Sequence, residues 1–141
     1  MFKNILIVID LGYIPLAKKL AETALEMTRN NPDTIYRVAG IVSAPSNSIV
    51  SSFLPTNFDK EVLAEANKKL HEFTRDVFPQ ESKVQHIVAY GTIYEEVNRV
   101  AEEKNVDLII MMASKDDNKE GLSSNTVKVA RYSRKPILIL R

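Results

Sequence analysis

The sequence predicts an α/β fold: a doubly wound, five-stranded parallel sheet of strand order 3-2-1-4-5, with helices on both faces. Short apolar runs rich in β-branched residues alternate with segments whose apolar residues recur every three or four positions. The apolar runs are continuous, which is typical of strands buried on both faces of a parallel sheet. Because the alternation runs from end to end without a linker, residues 1–141 are predicted to form a single domain.

The first strand and helix are predicted from the first 27 residues. Ile5–Ile9 is a continuous apolar run, which indicates a buried strand. Leu16, Leu20, Ala24 and Met27 then recur at steps of four, four and three. This spacing predicts a helix with all four side chains on the stripe that faces the core.

The middle of the chain predicts a second strand, a long loop and a second helix. Ile35–Val42 reads as the strand, and Ala44–Phe58 is a serine-rich irregular stretch. An irregular stretch of this length is either a functional flap or a mobile loop. The helix that follows has an apolar stripe made of Val62, Ala66, Leu70, Phe73 and Val77.

The rest of the chain predicts three more strands and two more helices. Val84–Ala89 is a strand, and the spacing of Thr92 and Glu95 matches a capping box at the start of the third helix. Leu108–Met112 is a fourth apolar strand, after which Ser114–Glu120 forms a polar loop. The remaining elements are a last helix, Ser124–Tyr132, and a fifth strand that follows Pro136, Ile137–Leu140.

Composition excludes several classes of function. The formal net charge is +1 and no dense basic tract occurs, so we expect no nucleic-acid partner. The absence of cysteine excludes disulfides, thiol nucleophiles and zinc–thiolate sites. The apolar run Ile5–Ile9 is too short for a membrane span and has no cleavage site after it, so we expect a cytoplasmic protein without a membrane partner.

A ligand site is expected where the winding of the sheet reverses, between the first and fourth strands. Asp10 leaves the first strand, and Ser114 leaves the fourth. The start of the last helix, at Ser123–Asn125, offers free amides and the positive end of a helix dipole. These features together suggest a nucleotide. The alternative is that Asp10 and the serines only cap helices, since serine and aspartate are common cap residues.

The order of these features resembles the universal stress protein family, in particular its short single-domain F and G types. The resemblance spans the chain and rests on Lys3–Asp10, Gly91, Val106–Ser114, Leu122–Asn125 and Arg134–Leu140. It implies adenine-nucleotide binding, with Asp10 at the ribose, Val42 beside adenine and a phosphate loop after the fourth strand. The binding residues implied in this way are Ile9, Asp10, Val42, Met112, Ala113, Ser114, Ser123, Ser124 and Asn125.

The chain departs from the family's ATP-binding pattern around these positions. Ile9 replaces the proline that precedes the aspartate, Ala113 and Asp116 stand at the first two loop glycines, and Ser123 stands at the last. The loop is also shorter than the family's. We therefore expect an adenine nucleotide, ATP or AMP with or without Mg²⁺, and a weaker preference for ATP than an intact glycine loop would give.

Charged residues in the same loop also disfavour a triphosphate. Asp116 and Asp117 bring negative charge toward the place that a triphosphate would occupy, and Lys115 and Lys119 offset it only in part.

Other motifs lead to no site. His71 is expected to be exposed beside an apolar stripe, and His86 to be packed or at a sheet edge; neither has a second ligand at metal spacing. No G-x-S-x-G elbow is present. A phospho-accepting receiver domain would need clustered acids after the first strand, where Asp10 stands alone.

Three functions follow from these features. The first is a regulatory protein of the stress response that binds an adenine nucleotide. The second is an interaction protein that binds no nucleotide and forms a homodimer through the edge strand Ile137–Leu140. A slow ATP hydrolase ranks last, since no general base, arginine finger or Walker lysine can be identified.

Overall fold

The computed structural model describes residues 2–43, 58–115 and 121–141, although not the side chains of residues 58 and 59. The predicted loop Ala44–Phe58 lies outside the described residues except for Phe58, which begins a helix, and most of the loop Ser114–Glu120 lies outside them too. The strands are β1 (Asn4–Ile9), β2 (Ile35–Ser43), β3 (Lys83–Gly91), β4 (Leu108–Met112) and β5 (Ile137–Leu140). The helices are α1 (Ile14–Met27), α2 (Phe58–Val77), α3 (Ile93–Glu103) and α4 (Ser124–Tyr132).

The five strands form one parallel sheet of order β3-β2-β1-β4-β5, which confirms the predicted topology. β1 is the central strand, and its Ile7 lies opposite Val38 of β2 on one side and Ile110 of β4 on the other. The winding reverses between β1 and β4. The carboxyl ends of β1, β2 and β4 therefore meet at the edge where a crevice is expected.

Alternate residues of β1 pack against different helices, which places a hydrophobic core on each face of the sheet. Ile5 and Ile7 join a cluster with α1 and α2, while Leu6 joins a cluster with α3 and α4. All three side chains are fully buried, and each stabilises the fold by about 1.5–3 kcal/mol. None of the helices within the described ranges combines the length and the hydropathy that a membrane span requires.

The prediction of a buried side chain is wrong for one residue of α1. Met27, the last residue of α1, is 45% exposed, whereas Leu16, Leu20 and Ala24 are buried as predicted. Thr28 takes the buried place at this end of the helix. Its hydroxyl donates to the Ala24 carbonyl at 2.8 Å and shares a hydrogen bond with the Tyr36 hydroxyl.

The predicted capping box is also wrong, although the helix start is right. Thr92 is the N-cap residue of α3, but its side chain makes no capping hydrogen bond. Glu95 is exposed, and its carboxylate accepts a hydrogen bond from the Tyr94 hydroxyl at 3.3 Å rather than reaching back to Thr92. The neighbouring Glu96 bonds Arg99.

The amino ends of the strands are joined by a network of polar side chains. The Asn4 amide group donates to the Lys104 carbonyl at 3.0 Å, and its oxygen accepts from Arg37 Nε at 2.8 Å. The Asp107 carboxylate accepts from the backbone amides of Lys3 and Asn4 at 2.8 and 2.9 Å. These bonds tie the first, second and fourth strands together at one end of the sheet.

Candidate functional site

A cavity of about 580 Å³ opens at the carboxyl ends of β1, β2 and β4. Its volume lies in the range of about 300–1,000 Å³ that is usual for small-molecule sites. Most of its wall is apolar and comes from the sheet and the first two helices. These wall residues include Val8, Leu16, Leu20, Ile41, Val42, Val62, Ala66, Met111 and Met112.

Asp10 stands at the rim of this cavity, in the turn that follows β1. Its Oδ1 accepts a hydrogen bond from the Gly12 amide at 2.8 Å. A Cβ atom at Gly12 would lie 3.1 Å from that oxygen, so the absence of a side chain there lets the turn close tightly. The N-cap residue of α1 is Tyr13, whose amide bonds the Asp10 backbone carbonyl at 3.1 Å, while the Asp10 carboxylate bonds Gly12 ahead of the helix; the interpretation of the Asp10 side chain as a helix cap is therefore wrong.

Ser123, in contrast, does cap a helix. It is the N-cap residue of α4, and its hydroxyl accepts from the Thr126 amide at 3.2 Å. The buried Thr126 hydroxyl donates to the Met112 carbonyl at 2.8 Å, which ties the start of α4 to the end of β4. The Ser123 amide donates to the Ala113 carbonyl at 2.6 Å. Ser123 therefore closes the base of the loop after β4 while it also lines the cavity.

The cavity brings together most, but not all, of the predicted binding residues. Ala113 is buried and does not line it; its amide donates to the Leu140 carbonyl at 2.6 Å, so the residue joins β4 to β5. Ser124 is exposed on the first turn of α4 and does not line it either. Asp116, Asp117 and Lys119 lie outside the described residues. The predicted residues that do line the cavity are Ile9, Asp10, Val42, Met112, Ser114, Ser123 and Asn125.

Sequence reasoning missed the contribution of α2. Glu61, Glu65 and Lys69 line the cavity from this helix, at successive steps of four residues. That spacing places them on one face of a helix, beside the wall residues Val62 and Ala66. The spacing of four residues between these charged side chains is the signal in the sequence that indicates this contribution.

Gly40 of β2 is a second residue that sequence reasoning missed. It is buried and lines the cavity. A Cβ atom there would lie 3.2 Å from Leu11 Cδ1, which is tighter than an ordinary contact. The bare backbone at Gly40 therefore allows Leu11 to pack against the wall of the cavity.

The two histidines lie together, and neither lines the cavity. His71 of α2 and His86 of β3 stack with ring centroids 3.6 Å apart, and His86 Nε2 lies 2.6 Å from the Thr74 hydroxyl. Burial, and secondarily the charge of His71, lower the pKa of His86. His71 is exposed, as predicted. No group of three or more metal-ligating side chains occurs in the part of the chain that the structure describes.

The fold and the sequence both match known proteins. The family model described as "Universal stress protein family" matches residues 1–141. Universal stress protein G of Escherichia coli O157:H7 is 22% identical over 144 residues, covering 100% of both chains. The solved structure of protein MJ0577, from Methanocaldococcus jannaschii, has a TM-score of 0.79 at 23% identity, covering 99% of this chain and 96% of that one.

Another solved structure is that of a universal stress protein in complex with cAMP. It has a TM-score of 0.61 at 16% identity and covers 99% of this chain and 97% of that one. At these identities the solved structures establish a shared fold, and the family model establishes membership. The chain belongs to the universal stress protein family.

Proposed function

We propose that the protein binds an adenine nucleotide in the cavity at the carboxyl end of the sheet, in a regulatory role in the cytoplasm. The observation that carries the proposal is the Asp10 carboxylate. One of its oxygens is fixed by the Gly12 amide at 2.8 Å, at the rim of a cavity of about 580 Å³. A carboxylate held in this way is suited to accept hydrogen bonds from the hydroxyl groups of a ribose.

The rest of the cavity supports the same ligand. Its apolar wall, including Val42, offers a surface on which an adenine ring can pack. At the other side, Asn125 lines the cavity at the positive end of the α4 dipole, where an anionic group is stabilised. ATP, AMP and a cyclic nucleotide all share these parts, and a structurally similar family member has been solved in complex with cAMP.

Calorimetry with purified protein tests the proposal, with adenosine, AMP and ATP as ligands, with and without magnesium. We expect saturable binding, and Asp10→Ala should weaken it by about 1–3 kcal/mol because a hydrogen-bonded ribose contact is lost. Asp33→Ala is the matched control, since Asp33 is an exposed carboxylate whose nearby partner is Lys83 at 3.6 Å. Absence of heat and of a thermal shift with every ligand at millimolar concentration would refute nucleotide binding.

A homodimer that acts as an interaction protein is the second candidate, and the edge strand β5 favours it. All four side chains of β5 are only partly buried. The Pro136 carbonyl accepts a hydrogen bond from Ile109 of β4, and the Leu140 carbonyl accepts one from Ala113, the residue after β4. The backbone groups of Ile139, one residue before Leu140, therefore point away from the sheet. An unpaired edge of this kind can hydrogen-bond the same strand of a second copy.

Light scattering at micromolar concentration tests this second candidate, with a dimeric mass as the expected result. Ile139→Pro removes an N–H group that points outward, so pairing with a second copy should be lost and the protein should be monomeric. The fold itself should tolerate this change, because proline is accepted on an edge strand. A substitution of Leu138 would not test pairing as cleanly, because Leu138 packs against the core cluster shared with α1 and α2 and its loss would also destabilise the fold. A native monomer, or a folded Ile139→Pro variant that is still dimeric, would exclude pairing through β5.

A further inference from the structure

The charged side chains that line the cavity carry an excess of negative charge. Asp10, Glu61 and Glu65 supply three carboxylates, and Lys69 and Lys115 supply two ammonium groups, which leaves one negative charge in excess among the described lining residues. None of these five forms an ion pair with another described residue. Their charges therefore act on whatever occupies the cavity.

Two backbone amides at the start of α4 already donate hydrogen bonds within the protein. The Thr126 amide is occupied by the Ser123 hydroxyl at 3.2 Å, and the Ser123 amide by the Ala113 carbonyl at 2.6 Å. The amides of Ser124 and Asn125 are the donors that bond no acceptor among the described residues. Of these two residues Asn125 lines the cavity, so the backbone at the start of α4 offers a donor to one phosphate group.

The size of the cavity brings any phosphate close to the carboxylates of α2. A compact cavity of this volume is roughly 10 Å across, which is about the Debye length at 0.1 M salt. Glu61 and Glu65 therefore lie close enough to repel a phosphate group bound inside, and because both carboxylates are exposed, this repulsion is strongest at low ionic strength. Each phosphate beyond the first adds negative charge, while the described lining residues supply no further cation.

We infer that the site takes an adenine ligand with no more than one phosphate group, and that Glu61 and Glu65 disfavour di- and triphosphates. This inference rests on the proposed function, because it concerns the ligand of the same cavity. Calorimetry with adenosine, AMP, ADP and ATP tests it, in a buffer that contains EDTA so that no divalent cation neutralises the phosphates. The Kd of ATP is expected to exceed that of AMP by about fivefold at an ionic strength of about 50 mM.

The variant Glu61→Gln/Glu65→Gln identifies the cause of the discrimination. Both side chains lie on the exposed face of α2, so the change removes two charges without altering the core. The affinity for ATP relative to AMP should rise by about fivefold. Glu72→Gln/Asp76→Asn is the matched control, since it removes two exposed carboxylates of the same helix that do not line the cavity.

The outcomes separate this inference from the proposed function. Tighter binding of ATP than of AMP by the native protein would overturn the inference. An equal ratio of the ATP and AMP dissociation constants in the native protein and the Glu61→Gln/Glu65→Gln variant would overturn it too. In both cases nucleotide binding itself would stand. Absence of binding by adenosine and by all three nucleotides would instead refute the proposed function.

Discussion

The two ends of the sheet use the same kinds of polar residue for different purposes. At the amino end, Asp107 accepts two backbone amides, and Asn4 bonds groups from α3 and β2. At the carboxyl end, Asp10 accepts one amide and faces a cavity, and Asn125 lines the same cavity. An aspartate and an asparagine at each end thus differ in how many of their hydrogen-bonding groups the protein itself satisfies.

The difference follows from which elements end at each edge of the sheet. Helix α3 ends at the amino end of the sheet with carbonyls that have no partner within the helix. The Asn4 side chain satisfies the carbonyls of the two residues that follow α3, Lys104 and Asn105, with bonds of 3.0 and 3.1 Å. Asn105 is held at a φ of 49°, a left-handed conformation that asparagine tolerates at a helix end. Asp107 and Asn4 at the amino end therefore stabilise the fold, whereas Asp10 and Asn125 at the carboxyl end lie at a cavity.

The largest expected effect comes from Asn4→Ala, which tests the structural role of the amino end. The change removes the partner of two carbonyls and of Arg37 Nε, so the free energy of unfolding should fall by about 2 kcal/mol. Denaturant unfolding measures it. Asn125→Ala at the other end is the matched control and should change stability by less than about 0.5 kcal/mol. Equal losses in the two variants would contradict the assignment of different roles.

A second prediction compares two helix starts at the carboxyl end. Ser123→Ala removes a hydroxyl that caps α4 and should lower the free energy of unfolding by about 1 kcal/mol. Thr92→Ala should cost less than about 0.5 kcal/mol, because the Thr92 side chain makes no capping bond. Thermal or denaturant unfolding of both variants decides the matter. A larger loss for Thr92→Ala would show that α3 is capped by its N-cap side chain after all.

Gly12→Ala should affect ligand binding more than stability. The new Cβ would lie 3.1 Å from Asp10 Oδ1, so the carboxylate must shift. If the nucleotide proposal holds, affinity should fall by about threefold to fivefold, in line with a hydrogen bond weakened by under 1 kcal/mol. Calorimetry and denaturant unfolding on the same sample separate the two effects. A loss confined to stability would mean that the Asp10 turn supports the fold and not a ligand.

The smallest expected effect is a dependence of stability on pH that arises at the His71–His86 stack. Burial and the charge of His71 hold the pKa of His86 below its ordinary value of 6.5 in the folded protein. The unfolded chain therefore takes up a proton first as the pH falls, and this contribution to stability, complete above pH 6.5, is lost as the pH drops below that value.

Unfolding measured between about pH 5 and pH 8 checks this sign, since 6.5 lies inside that window. His86→Gln should flatten the dependence in the window, because the group whose pKa is lowered is gone. The hydrogen-bond partners of the stack are the Thr74 hydroxyl, bonded to His86, and the Asn67 carbonyl, bonded to His71, and neither titrates in this pH range. A native stability that rises as the pH falls through 6.5 would contradict the prediction.

Sequence patterns predicted the elements well because those patterns depend on local geometry. The run at Leu108–Met112 and the helix at Ser124–Tyr132 have the bounds that the sequence predicts. The strand order is also confirmed. Met27 shows that spacing alone does not predict burial. Its position continues the apolar spacing, but burial at a helix end depends on which residues the neighbouring elements cover, and Thr28 is buried there instead.

The sequence by itself determined the elements and the position of Asp10 at the end of β1, because periodicity acts over short distances along the chain, and the alternation of strands and helices predicted a doubly wound sheet. Tertiary structure decided which polar groups meet. The contact of Asn4 with Lys104 spans 100 residues, and that of Asp107 with Lys3 spans 104. It also decided that the carboxylates of α2 line the cavity with Asp10. Hydrogen bonds and charges act through space, so their partners are set by how the helices pack on the sheet and not by spacing along the sequence.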